Sequence, residues 1–172
     1  MELFVIRHAI AEPLGKQNEF SDEKRALTAE GKNRMREVAK GLVKLGVEVD
    51  LILTSPLVRA VETAEIVGIA AGLTKKEIKL TSNLAPGASP EKLFAEIKGL
   101  SGVEALALIG HQPDLGGVIS RIIQADGSEL SIQLKKGSVC CLNITETVPR
   151  LRGDMSWLLT PRQLRVVARG AN

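Results

Sequence analysis

Apolar residues along this chain fall into two patterns. The first is a short unbroken run, seen at Leu3 to Ile6, at Leu51-Ile52-Leu53 and at Ala105 to Ile109. Runs of this length without alternation mark strands buried on both faces. The second is a helical period. Met35, Val38, Ala39, Leu42 and Val43 recur at helical spacing between Thr28, an N-cap candidate, and Gly46, a stop. Leu57, Ala60, Val61, Ala64 and Val67 repeat the pattern, with Ser55 as predicted N-cap, Pro56 at the first helical position and Gly72 as terminator. Ser89-Pro90-Glu91 opens a shorter helix carrying Leu93, Phe94 and Ile97, and Pro113 opens another carrying Leu115, Val118, Ile119 and Ile122.

Strands alternating with helices predict an α/β domain around a mainly parallel sheet. The pattern changes near the end. Val139 to Ile144 and Leu151 to Leu159 are β-like and separated by Glu146 to Arg150. In the second stretch Gly153, Met155, Trp157 and Leu159 alternate with Arg152, Asp154 and Ser156, which predicts a terminal hairpin at a sheet edge. Arg162 to Asn172 reads as a solvated tail or a short helix. With no repeat or linker, the 172 residues are expected to form a single domain over 1–172.

Composition narrows the chemistry. At 44% hydrophobic and 25% charged residues the chain is ordinary globular material. Aromatics make up 2%, too few for base-stacking, and a net charge of +3 carries no basic block, so no nucleic-acid partner is expected. No stretch reaches the roughly 18 apolar residues of a membrane span, and Glu2 stands where a signal peptide needs bases. A cytoplasmic protein without a membrane partner is the expectation. Cys140 and Cys141 are adjacent and lie in an apolar strand, which suits core packing better than a disulfide framework or a zinc site. The chain has two histidines, so any imidazole chemistry uses His8, His111 or both.

In doubly wound sheets, ligands bind beyond the C-terminal ends of the strands. Three predicted strand ends here run into Arg7-His8-Ala9, into Ser55-Pro56-Leu57-Val58-Arg59 and into Gly110-His111-Gln112-Pro113. Singly, each residue has an ordinary role: Arg59 could pair with Glu62 or Thr63 on its own helix, and either histidine could serve a turn. Together they suggest a phosphate site. Arginine presents a planar fork that matches phosphate oxygens, and helix N-termini add free N–H donors. A neutral imidazole is a competent nucleophile near pH 7. His8 would then carry a phosphoryl group, while Arg7, Arg59 and His111 offset charge in the transition state, without need of a metal.

These motifs resemble the histidine phosphatase superfamily, the phosphoglycerate-mutase-like fold. The resemblance rests on Arg7-His8-Ala9, on Ser55 to Ala64 and on Gly110 to Pro113, in that order, with Arg25 to Gly31 similar to the segment opening the family's first helix. Chain length and the ending Trp157 to Leu164 are most similar to the SixA-type phosphohistidine phosphatases. The resemblance implies a three-layer α/β/α sandwich, His8 as phosphorylated nucleophile, Arg7, Arg59 and His111 as its phosphate pocket, and no metal or cofactor. Ala9 stands where the larger superfamily more often has glycine.

A second departure bears on the reaction. Many relatives carry a carboxylic acid after the third strand to protonate the leaving oxygen. The corresponding stretch, Thr81 to Pro90, has no Asp or Glu, and Glu91 falls in a helical first turn, where an acid complements the dipole. Glu12 and Asp114 are the acids near the pocket in sequence that could serve as proton donor instead. An alkoxide is about as basic as hydroxide, near 15.7, and needs a proton to leave. Phosphoimidazole can release a neutral imidazole whose conjugate acid has a pKa of about 6.5. The empty loop therefore favours N–P over alkyl O–P bonds, and a phosphohistidine-bearing protein as substrate partner. Small phosphorylated molecules, or phosphate binding without turnover, are the alternatives. Short connections after residues 9 and 81 predict an open pocket, and Lys135-Lys136 is either a solvated turn or a steering element for an acidic partner.

Overall fold

The structure is a computed structural model, and it describes residues 1–14, 21–124, 128 and 130–170. Six strands form one mixed sheet with the order β3-β2-β4-β1-β5-β6. They are β1 (Glu2–Arg7), β2 (Leu51–Thr54), β3 (Ile78–Leu80), β4 (Ala105–Gly110), β5 (Val139–Glu146) and β6 (Arg152–Leu159). The helices are α1 (Ala29–Lys44), α2 (Val58–Ala71), α3 (Pro90–Lys98), α4 (Asp114–Ile123) and α5 (Pro161–Arg169). β1, β2, β3 and β4 run parallel, and β5 and β6 add an antiparallel hairpin at one edge.

The unbroken apolar strands are buried on both faces, as their composition requires. Phe4 and Ile6 of β1 belong to a core with Met35, Val38, Ala64 and Leu164, which come from α1, α2 and α5. Leu3 and Val5 turn the other way, onto Leu93, Ile97, Leu115 and Ile119 of α3 and α4. Helices therefore cover both faces of the sheet, giving the expected three layers. Cys140 and Cys141 point into opposite cores, and burial pushes the Cys140 thiol up to about 12.

Two expectations are corrected, and one strand has no counterpart in the sequence pattern. β3 escapes sequence reading because it is three residues long and half exposed at the sheet edge. α2 begins at Val58, not Pro56, because Leu57 is extended and the Ser55 hydroxyl is engaged elsewhere. The alternation read through Leu151 to Leu159 breaks at a register shift, where Cys141 pairs with Trp157 and Leu142 with Met155, so Met155 falls on the face of Leu142 and not on that of Trp157 and Leu159. Of the two readings of the end of the chain, the short helix holds, as α5. A capping box between Thr160 and Gln163 starts it, and Leu164 is wholly buried against α1. Residues 171 and 172 lie outside the described residues.

Candidate active site

Strand register assembles the site. Arg7 of β1 pairs with Gly110 of β4, so the next residue on each strand is a histidine, and the His8 amide donates to the Gly110 carbonyl at 3.0 Å. The two imidazoles lie with ring centroids 5.1 Å apart. On the other side of β4, Thr54 pairs with Ile109, and the Ser55 amide donates to the Ile109 carbonyl at 2.9 Å. His8, Ser55 and His111 thus occupy the same C-terminal edge on three adjacent strands, and all three are buried.

Hydrogen bonding sets which nitrogen of each ring carries its proton. His8 Nδ1 lies 2.7 Å from the Ala9 carbonyl oxygen, which can only accept, so Nδ1 is protonated and Nε2 holds the lone pair. His111 Nε2 lies 2.8 Å from Ser55 Oγ, and that oxygen already accepts from the Leu57 amide at 3.3 Å. Ser55 can then donate its proton to Nε2, which leaves His111 Nδ1 as an N–H donor. Among the described residues His111 Nδ1 has no hydrogen-bond partner although it is buried, and the same holds for Arg7 Nε and Arg59 Nε. Buried donors left open cost stability and are normally satisfied by a ligand or solvent.

Both rings are held neutral. Burial pushes the His8 pKa down to about 3, with the charges of His111, Arg59 and Arg7 adding to the effect and the Ala9 bond opposing it. Burial also lowers His111 to about 4, reinforced by Arg59, Arg7 and Arg25 and opposed by Asp22. An uncharged His8 with its Nε2 lone pair free, beside guanidinium groups, is suited to attack an anionic phosphorus centre.

The guanidiniums are anchored differently from what one-helix pairing predicts. Arg59 lies in the first turn of α2 and is 4% exposed. Its side chain reaches neither Glu62 nor Thr63. Nη1 donates to the Asp22 carbonyl at 2.7 Å and Nη2 to Asp22 Oδ2 at 2.9 Å. Asp22 also accepts from Arg25 Nε at 2.8 Å. Partial burial works against the Asp22 carboxylate, but bonds from Arg25 and Arg59 outweigh it and hold the pKa below the ordinary range. Arg7 donates through Nη1 to the Leu134 carbonyl at 2.6 Å. Thr63 ties the pieces together, accepting from the Ala9 amide at 3.1 Å and donating to the Arg59 carbonyl at 2.7 Å. Glu62 instead binds the Leu27 amide and Lys32, fixing the segment before α1. There Gly31 passes so close to the Ile10 carbonyl that a Cβ would sit 2.1 Å from its oxygen, so only glycine lets α1 brace the loop after His8.

Asp22, Arg25, Ser55 and Thr63 were not among the sequence-derived site residues. Ser55 and Arg25 lie within the motifs quoted above, but their spacing gave no sign that they touch His111 and Asp22. The acid positions also resolve. The 3₁₀ turn Ser82–Leu84 follows β3, and the Leu84 carbonyl approaches Gly110 at the end of β4, so the carboxylate-free loop does border the site. Asp114 lies against this loop, accepting from the Gly87 amide at 3.1 Å. Glu91 binds Ser89 and Arg121. Glu12 is exposed, and its carbonyl accepts from Arg25. The connection after residue 9, expected to be too short for a lid, runs through 15–20, outside the described residues. Among the described residues no three His, Cys, Asp or Glu side chains cluster as metal ligands, and no helix is long and apolar enough to cross a membrane.

The chain is similar to known proteins in sequence and in fold. Residues 3–85 match the model of the histidine phosphatase superfamily (branch 1). An uncharacterized protein of Picosynechococcus sp. is 42% identical over 121 residues, 67% of this chain and 69% of the relative. Phosphohistidine phosphatase SixA of Escherichia coli K12 is 24% identical over 168 residues, covering 96% of this chain and 98% of that protein. The structure of the protein histidine phosphatase SixA complexed with tungstate superposes with a TM-score of 0.82 at 25% identity, covering 95% of this chain and 99% of that one.

Proposed function

Since the chain belongs to the histidine phosphatase superfamily, we propose that it is a phosphohistidine phosphatase, one catalytic domain over 1–172, acting on a phosphohistidine-bearing protein through a phosphorylated His8. The observation that carries this reading is the fixed tautomer of His8, its Nδ1 proton donated to the Ala9 carbonyl and its Nε2 lone pair left for phosphorus.

In the first step His8 Nε2 attacks phosphorus in line, on a substrate phosphohistidine protonated at its other ring nitrogen, and the N–P bond breaks with its electron pair going to the departing ring, which leaves as neutral imidazole. Nδ1 keeps its proton, so the intermediate is a phosphoimidazolium stabilised by the Ala9 carbonyl. In the second step water attacks phosphorus, and His8 departs as a neutral imidazole still protonated on Nδ1. No proton has to reach or leave the His8 ring in either step. Arg7, Arg59 and His111 Nδ1 supply the donors for the phosphoryl oxygens. The fixed positive charge of Arg7 and Arg59 supports a reaction that proceeds in EDTA as in its absence.

The substrate preference follows from the leaving group. Transfer from phosphohistidine to His8 exchanges one phosphoimidazole for another, and the leaving imidazole, whose conjugate acid has a pKa of about 6.5, is far less basic than an alkoxide near 15.7. The carboxylate-free loop after β3 suits that exchange, and Asp114 against the loop is the candidate proton donor if one acts.

The test is turnover of a phosphohistidine protein beside a primary alkyl phosphate. The expected result is faster hydrolysis of phosphohistidine, with Asp114→Ala leaving that rate within a few-fold. An alkaline quench should trap phosphate on His8, and His8→Ala should lower the rate by at least roughly 10³-fold. Faster turnover of the alkyl phosphate, or an undiminished rate in His8→Ala, overturns the reading.

A further inference from the structure

Beside the catalytic edge lies a groove of about 1020 Å³ between the N-terminal half of α1, the start of α5 and the 135–137 turn. Arg7 and Ala9, the residues on either side of His8, line its near end. Its floor is apolar, built from Ile10, Met35, Val38, Pro161 and Val166, and Val166 is 56% exposed. Its remaining cationic walls are Arg34, Lys135, Lys136, Arg162 and Arg165, and no Asp or Glu is among the described residues that line it. Arg34 is paired with Glu30 and Arg165 with Glu37, while Lys135, Lys136 and Arg162 make no ion pair among the described residues.

We propose that this groove is the docking site for an acidic amphipathic segment flanking the phosphohistidine of the substrate protein. The proposal rests on the reading of the active site given above and names the partner surface it would take. Free phosphate or a small polyanion would gain nothing from a floor of Met35, Val38 and Val166. A segment with apolar residues on one edge and carboxylates beside them matches both the floor and the rim.

The geometry fixes the groove relative to the chemistry. The Gly137 amide donates to the carbonyls of both Arg7 and His8, at 3.0 and 3.2 Å, so the turn carrying Lys135 and Lys136 is fastened to the strand that bears the nucleophile. Lys135 and Lys136 are solvated, as one reading of the turn expected, and the turn also forms a wall of the groove beside the site.

The test compares two phosphoryl donors on the full chain. One is phosphoramidate, which needs only the phosphate pocket. The other is a synthetic phosphohistidine peptide with Glu and Leu at helical spacing. The triple variant Lys135→Glu, Lys136→Glu, Arg162→Glu should lower kcat/KM for the peptide about 10-fold or more at low salt and leave phosphoramidate within about 2-fold. Val166→Asp, at the exposed floor, should weaken the peptide alone as well. Equal losses on both donors, no loss on the peptide, or a floor variant without effect overturns the proposal. Anisotropy of the labelled, unphosphorylated peptide reads docking separately from turnover. Binding lost in the variants while the wild-type chain turns over neither donor would sink the phosphatase reading and leave the groove standing.

Discussion

Asp22 grips Arg59 with two oxygens, its backbone carbonyl and its carboxylate, across 37 residues of sequence. The grip turns both terminal nitrogens of a buried guanidinium toward the chain and leaves Nε open. Asp22 is an anion sharing an arginine that also faces the two histidines, so it both orients Arg59 and competes with a phosphoryl group for its charge.

Asp22→Asn keeps an acceptor for Nη2 and removes the negative charge. Tungstate, tested as a competitive inhibitor, should bind this variant about 5-fold more tightly, since a partly exposed ion pair is worth about 1 kcal/mol. Weaker inhibition would mean that the carboxylate acts chiefly by holding Arg59 in place.

Ser55→Ala removes the hydroxyl that fixes His111. The imidazole loses its Nε2 partner at 2.8 Å and the preference for Nδ1 as donor. Leaving a buried ring nitrogen unsatisfied costs about 1–3 kcal/mol, so kcat/KM should drop between about 5-fold and 150-fold. Ser55→Thr, which restores the hydroxyl, should recover part of it, and a rate in Ser55→Ala equal to wild type would contradict the assigned tautomer.

The pH dependence has a definite sign. His8 and His111 are held at about 3 and about 4 in the folded chain, against 6.5 for an exposed imidazole. The folded state therefore binds fewer protons than the unfolded chain as pH falls below 6.5, and stability present above that value is lost progressively towards pH 3. Urea midpoints measured from pH 8 to 4 should decline below 6.5, and less steeply in His8→Asn. For the same reason kcat/KM should show no acid limb near 6.5. A limb there in the free enzyme would show that the histidines titrate normally.

Gly41 is where α1 meets α5. A Cβ on it would lie 2.2 Å from the Leu164 carbonyl oxygen. Gly41→Ala should destabilise the fold by about 1–3 kcal/mol, the usual cost of overpacking, and lower Tm. An unchanged Tm would mean that α5 moves freely against α1. Because α5 walls the groove beside the site, the same variant should impair the phosphohistidine peptide more than phosphoramidate.

Much of the site was legible because its parts sit in strong local signals. Arg7-His8, Arg59 and Gly110-His111 each follow or open an element that apolar periodicity defines, and α/β topology gathers strand ends at one edge. Ser55 was read as a helix cap because Ser-Pro before a helical period usually is one, yet its hydroxyl serves a histidine 56 residues away. Asp22 and Arg25 sit in a short 3₁₀ turn and the residue after it, where no periodicity marks a side chain as inward. β3 and α5 were missed or left open for a similar reason, since one is a three-residue edge strand and the other is anchored chiefly through Leu164.

By itself the sequence determined most of the elements, β3 and α5 apart, the order in which the three motifs arrive, and that imidazole and guanidinium chemistry must share one sheet edge. Local propensity and apolar burial are encoded within a few residues, so they can be read there. The tertiary structure alone decided the pairing of Arg7 with Gly110 that sets the two histidines side by side, the carbonyl and hydroxyl that choose their tautomers, and the recruitment of Asp22 to Arg59. Strand register and contacts between distant segments are fixed when the layers pack, and no spacing along the chain records them.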